Sequence, residues 1–384
     1  MERISEIDGL RALAALSVFA GHAFAFTLVR VTSVGWIGVD LFFVISGYLI
    51  TTILFGMRNS PHYFKNFYMR RTLRIFPPYY ALFVLCLVCA VVDRNYHVDW
   101  RVWLTFALYG SSLTAVQSWF LAAAQTGLPS SIGVTWSLSI EEIFYLLWAP
   151  AVRFLRERHL FLVVISAILI APVIRWYIHS PGCLEYAFFP ARMDSLAFGA
   201  LLALLRNSGR RFRVPGWAPL AGLVVPFSLL LLIPDVRRTA FFAVFGYTLV
   251  AIGMALVVAF VLDRAATENP VCRVLRSRLL VRLGTISYTF YLIHLFVFRV
   301  ISGLFGNLLL SHIGPNRVLQ SIEGLASFAL TVLVAELSWR YFESPILRLK
   351  SRFSSTHRES EVAPQSREPF MPSLTSVREG IEIT

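Results

Sequence analysis

Charge is what this chain has least of. Only 15% of its 384 residues are Asp, Glu, Lys or Arg, and acids are the scarcer kind, 22 against 35 Lys+Arg. A water-soluble protein of this length needs more polar surface than that, which excludes an ordinary soluble enzyme. Cysteine is scarce as well. Cys86, Cys89, Cys183 and Cys272 are too few and too scattered for a disulfide framework. Cys86 and Cys89 form a C-x-x-C, but it lies inside an apolar run with no second pair, so neither a metal nor a redox site is expected there. The basic n-region of a cleavable signal peptide is missing too. Glu2, Glu6 and Asp8 offset Arg3 and Arg11, and the first apolar segment is expected to be retained.

Apolar residues are what the chain has in abundance: 57% of it is hydrophobic and the mean hydropathy is +0.66. Apolar runs of about 17–23 residues recur, long enough to cross a bilayer as helices. The expected spans are approximately 10–29, 36–56, 75–92, 136–154, 160–178, 190–206, 217–233, 240–262, 283–304 and 323–343. Segment 102–124 is wetter, with Thr105, Ser111, Ser112, Thr114, Gln117 and Ser118.

Charge placement decides how that segment is read. If 102–124 does not cross, the basic residues near 58–74, 153–158, 206–213, 264–282 and 348–352 all fall on the side of the N-terminus. The positive-inside rule then predicts an all-α, polytopic integral membrane protein with about ten transmembrane helices and both termini cytoplasmic. Residues 93–135 become an outer loop, with a helix lying in the interface or dipping in. Trp100, Trp103 and Trp119 in it read better as interfacial anchors than as sugar-stacking platforms. Residues 1–348 form one membrane domain and 349–384 a disordered cytoplasmic tail. The net charge of +13 is accounted for by loops, so no nucleic acid partner is expected.

Against this apolar background the ionisable residues inside spans mark candidate sites. Arg11 and His22 lie eleven residues apart. At 100° per residue that is about 20° past three turns, so both point off one helix face, roughly 16 Å apart along the axis. Arg70 and Arg74 share a face beside aromatics and suit bidentate phosphate contacts. Ordinary positive-inside charge and headgroup contact explain them equally well. Glu141 and Glu142 sit near one end of their span, in the sequence Trp136-Ser137-Leu-Ser-Ile-Glu141-Glu142. The topology puts them in the same outer layer as His22, where a carboxylate would orient the imidazole or take up its proton. Asp40 stands just inside the second span, able to orient an imidazole or cap a helix end. Arg192 and Asp194 open the sixth span, where an Arg–Asp pair closing the helix end and a direct role in the site are equally good readings. Ser287, Tyr288 and His294 lie on the ninth, where Ser287, Tyr291 and His294 are spaced for one face. Helix packing explains Ser46-Gly47 better than chemistry does.

Together these residues resemble the acyltransferase-3 family of membrane O-acyltransferases, over about residues 5–345. The carrying features are Arg11…His22, Gly38-Val-Asp40-Leu-Phe-Phe-Val-Ile-Ser46-Gly47-Tyr48, Phe67-Tyr-Met-Arg70-Arg-Thr-Leu-Arg74-Ile, Trp136-Ser-Leu-Ser-Ile-Glu141-Glu142, Ile286-Ser-Tyr288-Thr-Phe-Tyr-Leu-Ile-His294 and Tyr341-Phe-Glu343-Ser-Pro345. The resemblance implies ten spans in the bacterial cytoplasmic (inner) membrane. It also implies transfer of an acyl group, commonly acetyl from acetyl-CoA, to a hydroxyl of a glycan, a lipid-linked saccharide or another envelope or secreted metabolite. Acyl-CoA would be a donor substrate, with no tightly bound cofactor and no metal. In the mechanism that follows, Arg11, Arg70 and Arg74 hold the donor phosphates. His22 is the general base, with Glu141 or Glu142 orienting it; direct attack and an acyl-His relay both stay open. Asp40, Ser137, Arg192, Asp194, Ser287, Tyr288 and His294 serve substrate binding or structure. A proton-coupled transporter and a non-catalytic membrane scaffold are the alternatives. No inverted repeat or pair of broken helices supports the transporter.

Overall fold

Among the described residues, six helices are long and apolar enough to cross a membrane: Ile37–Gly56, Tyr63–Val92, Glu157–Ile178, Phe242–Asp263, Arg278–Leu304 and Arg317–Ser351. The protein is a multi-pass membrane protein. The computed structural model describes residues 4–24, 34–93, 99–113, 128–179, 184–209, 213–233, 235–265, 267–305 and 317–353. Among them there are helices and turns and no strand.

In chain order the helices are α1 (Ser5–Ala23), α2 (Ile37–Gly56), α3 (Tyr63–Val92), α4 (Trp100–Ala107), α5 (Trp136–Phe154), α6 (Glu157–Ile178), α7 (Phe189–Asn207), α8 (Ala218–Leu232), α9 (Tyr247–Asp263), α10 (Pro270–Leu275), α11 (Arg278–Phe305), α12 (Arg317–Ser338) and α13 (Ser344–Arg348). A helix lies in each segment where a span is expected. The helices α1, α5 and α7, of 19 residues each, do not meet the same apolar standard. The reason is chemical: Glu6, Asp8 and Arg11 lie in α1, Glu141, Glu142 and Arg153 in α5, and Arg192, Asp194 and Arg206 in α7. Each of these three helices carries candidate site residues: Arg11 and His22 in α1, Glu141 and Glu142 in α5, and Arg192 and Asp194 in α7. The fourth exception, α8, is apolar but only 15 residues long.

Burial follows the same logic. In α2, Asp40, Phe43, Val44 and Leu54 are fully buried, and this helix runs through the middle of the bundle. It crosses α7 closely. A Cβ on Gly47 would lie 2.0 Å from the Leu196 carbonyl oxygen, and one on Gly199 would lie 2.0 Å from that of Val44. Only glycine lets the two backbones approach this far. By contrast α6 exposes Leu162, Leu169 and Val173, as a lipid-facing helix does.

Two expectations for the loops change. The described part of 93–135 contains α4, whose eight residues are too short to span. Trp103 in it is buried against Phe83, with ring centroids 5.5 Å apart, so it is a core residue and not an interfacial anchor; Trp100 is exposed. Trp119 lies outside the described residues. The expected tail also starts later than residue 349, because Leu349–Phe353 form a 3₁₀ turn packed on α3. The rest of that tail lies outside the described residues.

Candidate active site

A cavity of about 300 Å³ opens between α1, α2, α3, α5 and α11. Arg11 of α1 and Arg70, Arg71 and Arg74 of α3 line it, together with Glu141 and Tyr145 of α5. Helical period explains why the three guanidinium groups of α3 converge. Arg70 and Arg74 are one turn apart on one face, and Arg71 is three residues from Arg74, so the two pairs flank a single edge of α3. Arg71 lies over the rings of Phe67 and Tyr145, at 5.9 and 5.8 Å. The aromatics named beside the arginines in the sequence therefore hold a guanidinium that sequence spacing alone passed over.

Glu141 is fixed from two sides. Ser46 Oγ donates to its Oε1 at 2.7 Å and Tyr145 OH donates to its Oε2 at 2.7 Å. Ser46 is thus more than a small packing residue: it orients the carboxylate. Glu142 does not line this cavity, and its buried Oε1 has no hydrogen-bond partner among the described residues. The expected contact of either carboxylate with His22 is absent from the described structure. Glu141 shares its surroundings with Arg11, near the opposite end of α1. Span boundaries read from sequence are loose by about 2–4 residues, so spacing within each span does not fix the depth of Glu141 relative to His22.

The residue that meets His22 comes from α11. His294 Nε2 and His22 Nδ1 are 2.9 Å apart, and His294 Nδ1 is 2.6 Å from the Tyr291 carbonyl oxygen. A carbonyl can only accept, so Nδ1 of His294 carries a proton and, in the neutral ring, Nε2 is the acceptor. His22 Nδ1 then donates to it, and the His22 ring also bonds the Val18 backbone one turn back on α1. His294 is buried and His22 exposed, so His22 is the accessible partner of the pair.

Tyr291 connects the two places. Its hydroxyl bonds Ser137 Oγ at 2.7 Å at the cavity wall, and its ring centroid is 5.7 Å from that of His294. Ser137, Ser287 and Tyr288 also line the cavity. Tyr288 OH donates to the Ile75 carbonyl at 2.7 Å and ties α11 to α3; Ser287 Oγ bonds the Gly284 carbonyl one turn back. The sequence signal for Tyr291 was its one-face spacing with Ser287 and His294.

Asp40, Arg192 and Asp194 form a separate buried network. Arg192 does not pair with Asp194, its neighbour in sequence. It pairs with Asp40 at 2.6 Å, and Ser195 Oγ donates to the same Asp40 oxygen at 2.8 Å. Asp194 pairs instead with Arg175 at 2.9 Å and accepts from Thr248 Oγ1 at 2.8 Å. Asp40 therefore neither orients a histidine nor caps a helix. Arg192 also stands 4.6 Å from the Tyr247 ring centroid. Both ion pairs are fully buried, and their place is to lock α2, α6, α7 and α9 together. Arg175, near the end of an otherwise apolar helix, gave no signal in the sequence.

A second cavity, of about 910 Å³, shares Arg70 and Arg74 with the first and reaches Arg206, whose guanidinium donates to Tyr48 OH at 3.0 Å. No cluster of three or more metal-ligating side chains occurs among the described residues.

Comparison with known proteins places the chain in a family. A family model described as an acyltransferase domain matches residues 4–340. The peptidoglycan O-acetyltransferase OatA of Listeria monocytogenes is 30% identical over 363 residues, which cover 89% of this chain and 56% of that protein. The putative peptidoglycan O-acetyltransferase YrhL of Bacillus subtilis is 30% identical over 372 residues, 89% of this chain and 55% of that protein. The O-acetyltransferase OatA of Staphylococcus aureus is 25% identical over 366 residues, 88% and 56%. The chain thus spans about half the length of the curated relatives it matches. No solved structure matches it.

Proposed function

The chain belongs to the acyltransferase family whose model matches residues 4–340, and from that premise we propose that it is an integral-membrane O-acetyltransferase. It takes acetyl from acetyl-CoA and passes it to a hydroxyl of a glycan at the bacterial inner membrane. Peptidoglycan, named for the Listeria relative, is the first acceptor to try. One observation carries the donor reading: Arg11, Arg70, Arg71 and Arg74 converge on a single cavity with Glu141 as its one lining carboxylate. A polyphosphate is the ligand whose charge and fork geometry fit such a set.

In this reading the bundle crosses the membrane ten times with both termini cytoplasmic, so the arginines face the compartment that holds acetyl-CoA. The nucleotide end occupies the larger cavity beside Arg70, Arg74 and Arg206. The pantetheine arm follows α2 from Ile53 to Val39, which both line the inner cavity. Fourteen residues of helix give it about 21 Å. The thioester comes to rest at the Ser137–Tyr291 pair, with His22 and His294 beyond it.

His22 Nε2 takes the proton of the acceptor hydroxyl as its oxygen attacks the thioester carbonyl. The C–S bond breaks and the coenzyme A thiolate leaves, to be protonated in turn. His294 holds the His22 tautomer; it is a positioning residue. Glu141 acts on the donor side, where it keeps Tyr145 and the Arg71 beside it in place.

The test is direct. Protein purified into nanodiscs is given acetyl-CoA and peptidoglycan fragments, and mass spectrometry follows O-acetylation. Acetylated glycan with equimolar coenzyme A supports the reading. Acetyl-CoA that neither binds nor turns over would dismiss it.

A further inference from the structure

The family match ends at residue 340, but the donor cavity does not. Lys350 lines it, together with Arg11, Arg70, Arg71 and Arg74. This lysine lies beyond α12, at the end of the apolar stretch Arg317–Ser351, where the composition reads as the start of a solvated tail. The chain brings it back by a defined route. The π turn Trp339–Glu343 is pinned to α11, where Thr289 Oγ1 donates to Glu343 Oε1 at 2.7 Å and Ser338 Oγ to the same oxygen at 3.2 Å. Pro345 then opens α13, and both α13 and the Leu349–Phe353 turn pack on α3, the helix that carries three of the arginines.

The ordinary reading of a lysine after a span is a solvated positive-inside charge. Such a lysine points its ammonium away from other cations and towards headgroups. Lys350 does the reverse. It is half-buried, and Arg74, Arg71, Arg70 and Arg11 all bear on its charge. No ion pair to it occurs among the described residues. Gathering a fifth cation beside four others is costly unless an anion joins them.

We propose that Lys350 is a phosphate ligand of the acyl donor, placed by a C-terminal turn that closes the mouth of the donor cavity. The inference rests on the reading of that cavity as an acyl-CoA site. The compact ammonium supplies a point charge that a phosphate can approach from several directions, complementing the fixed forks of the arginines. Thioesters without phosphates should gain nothing from it.

Full-length protein in nanodiscs, as wild type, Lys350→Gln and Lys350→Arg, is assayed for acetyl-CoA binding by calorimetry and for turnover with acetyl-CoA and S-acetylpantetheine. Lys350→Gln should weaken acetyl-CoA binding by roughly three- to ten-fold, as expected for one partly exposed charged contact. Lys350→Arg should restore most of it, and KM for the phosphate-free S-acetylpantetheine should be the same in all three. Unchanged acetyl-CoA affinity in Lys350→Gln, or an equal loss for both thioesters, overturns the role of Lys350. If wild type itself fails to bind acetyl-CoA, the donor reading falls instead.

Discussion

His22 and His294, 272 residues apart in sequence, share a hydrogen bond of 2.9 Å between Nδ1 of the first and Nε2 of the second. The Tyr291 carbonyl sets the direction of the pair by accepting from His294 Nδ1 at 2.6 Å. One backbone oxygen thereby directs the hydrogen bond between the two rings. His294→Phe removes the acceptor for His22 Nδ1–H and frees the tautomer. We expect kcat to fall about 10–100-fold while acetyl-CoA affinity measured by calorimetry stays at the wild-type value. A parallel loss of affinity would place His294 in the donor site instead.

Arg71→Gln should weaken acetyl-CoA binding by roughly ten-fold, the scale of a charge-assisted hydrogen bond. Arg71→Lys should recover only part of it, because an ammonium cannot make the fork contact or lie flat over Phe67 and Tyr145. Binding isotherms of the two variants check this. Full recovery by lysine would reduce Arg71 to a general charge.

Asp40→Asn leaves Arg192 buried with its main counter-charge gone. Breaking such a pair costs about 3–5 kcal/mol, so detergent-solubilised protein should unfold at clearly lower temperature, and much less should reach the membrane. Asp40→Asn protein that keeps wild-type thermal stability would contradict the structural role given to the pair.

Gly199→Ala inserts a methyl into the α2–α7 crossing, where a Cβ stands 2.0 Å from the Val44 carbonyl oxygen. Overpacking of this kind costs about 1–3 kcal/mol. The thermal melt should shift downwards. Gly56→Ala, where nothing lies within 4 Å of the added carbon, should not shift it.

Arg156 stands between α5 and α6 and should face the cytoplasm if the ten-span topology holds. Arg156→Cys should therefore react with a membrane-impermeant maleimide in inside-out vesicles and stay unreacted in intact spheroplasts. Labelling in spheroplasts would reverse the orientation.

Helical period made much of this molecule legible. Arg11 and His22 on one face, Arg70 with Arg74, and Ser287 with Tyr291 and His294 follow from 3.6 residues per turn, and so do the helices in each expected segment. Period speaks of one helix at a time, however. It cannot say which face meets which. Arg192 looked paired with Asp194 because the two are close in sequence, yet its partner Asp40 is 152 residues away. Glu141 looked level with His22 because depth was estimated span by span. Arg71 was passed over because the i, i+4 rule selects Arg70 and Arg74, although an adjacent residue on the helix edge lines the same cavity. Lys350 was read as tail because composition cannot register a turn held by Glu343 from a distance.

The central claim is that His22 is the base in acyl transfer while the arginine cavity independently holds the donor. It is tested most directly by single-turnover acetyl transfer and acetyl-CoA binding on the same His22→Ala protein in nanodiscs. The account predicts a loss of transfer of about 10²–10⁴-fold with acetyl-CoA affinity unchanged. Transfer at a near-normal rate in that variant would contradict it.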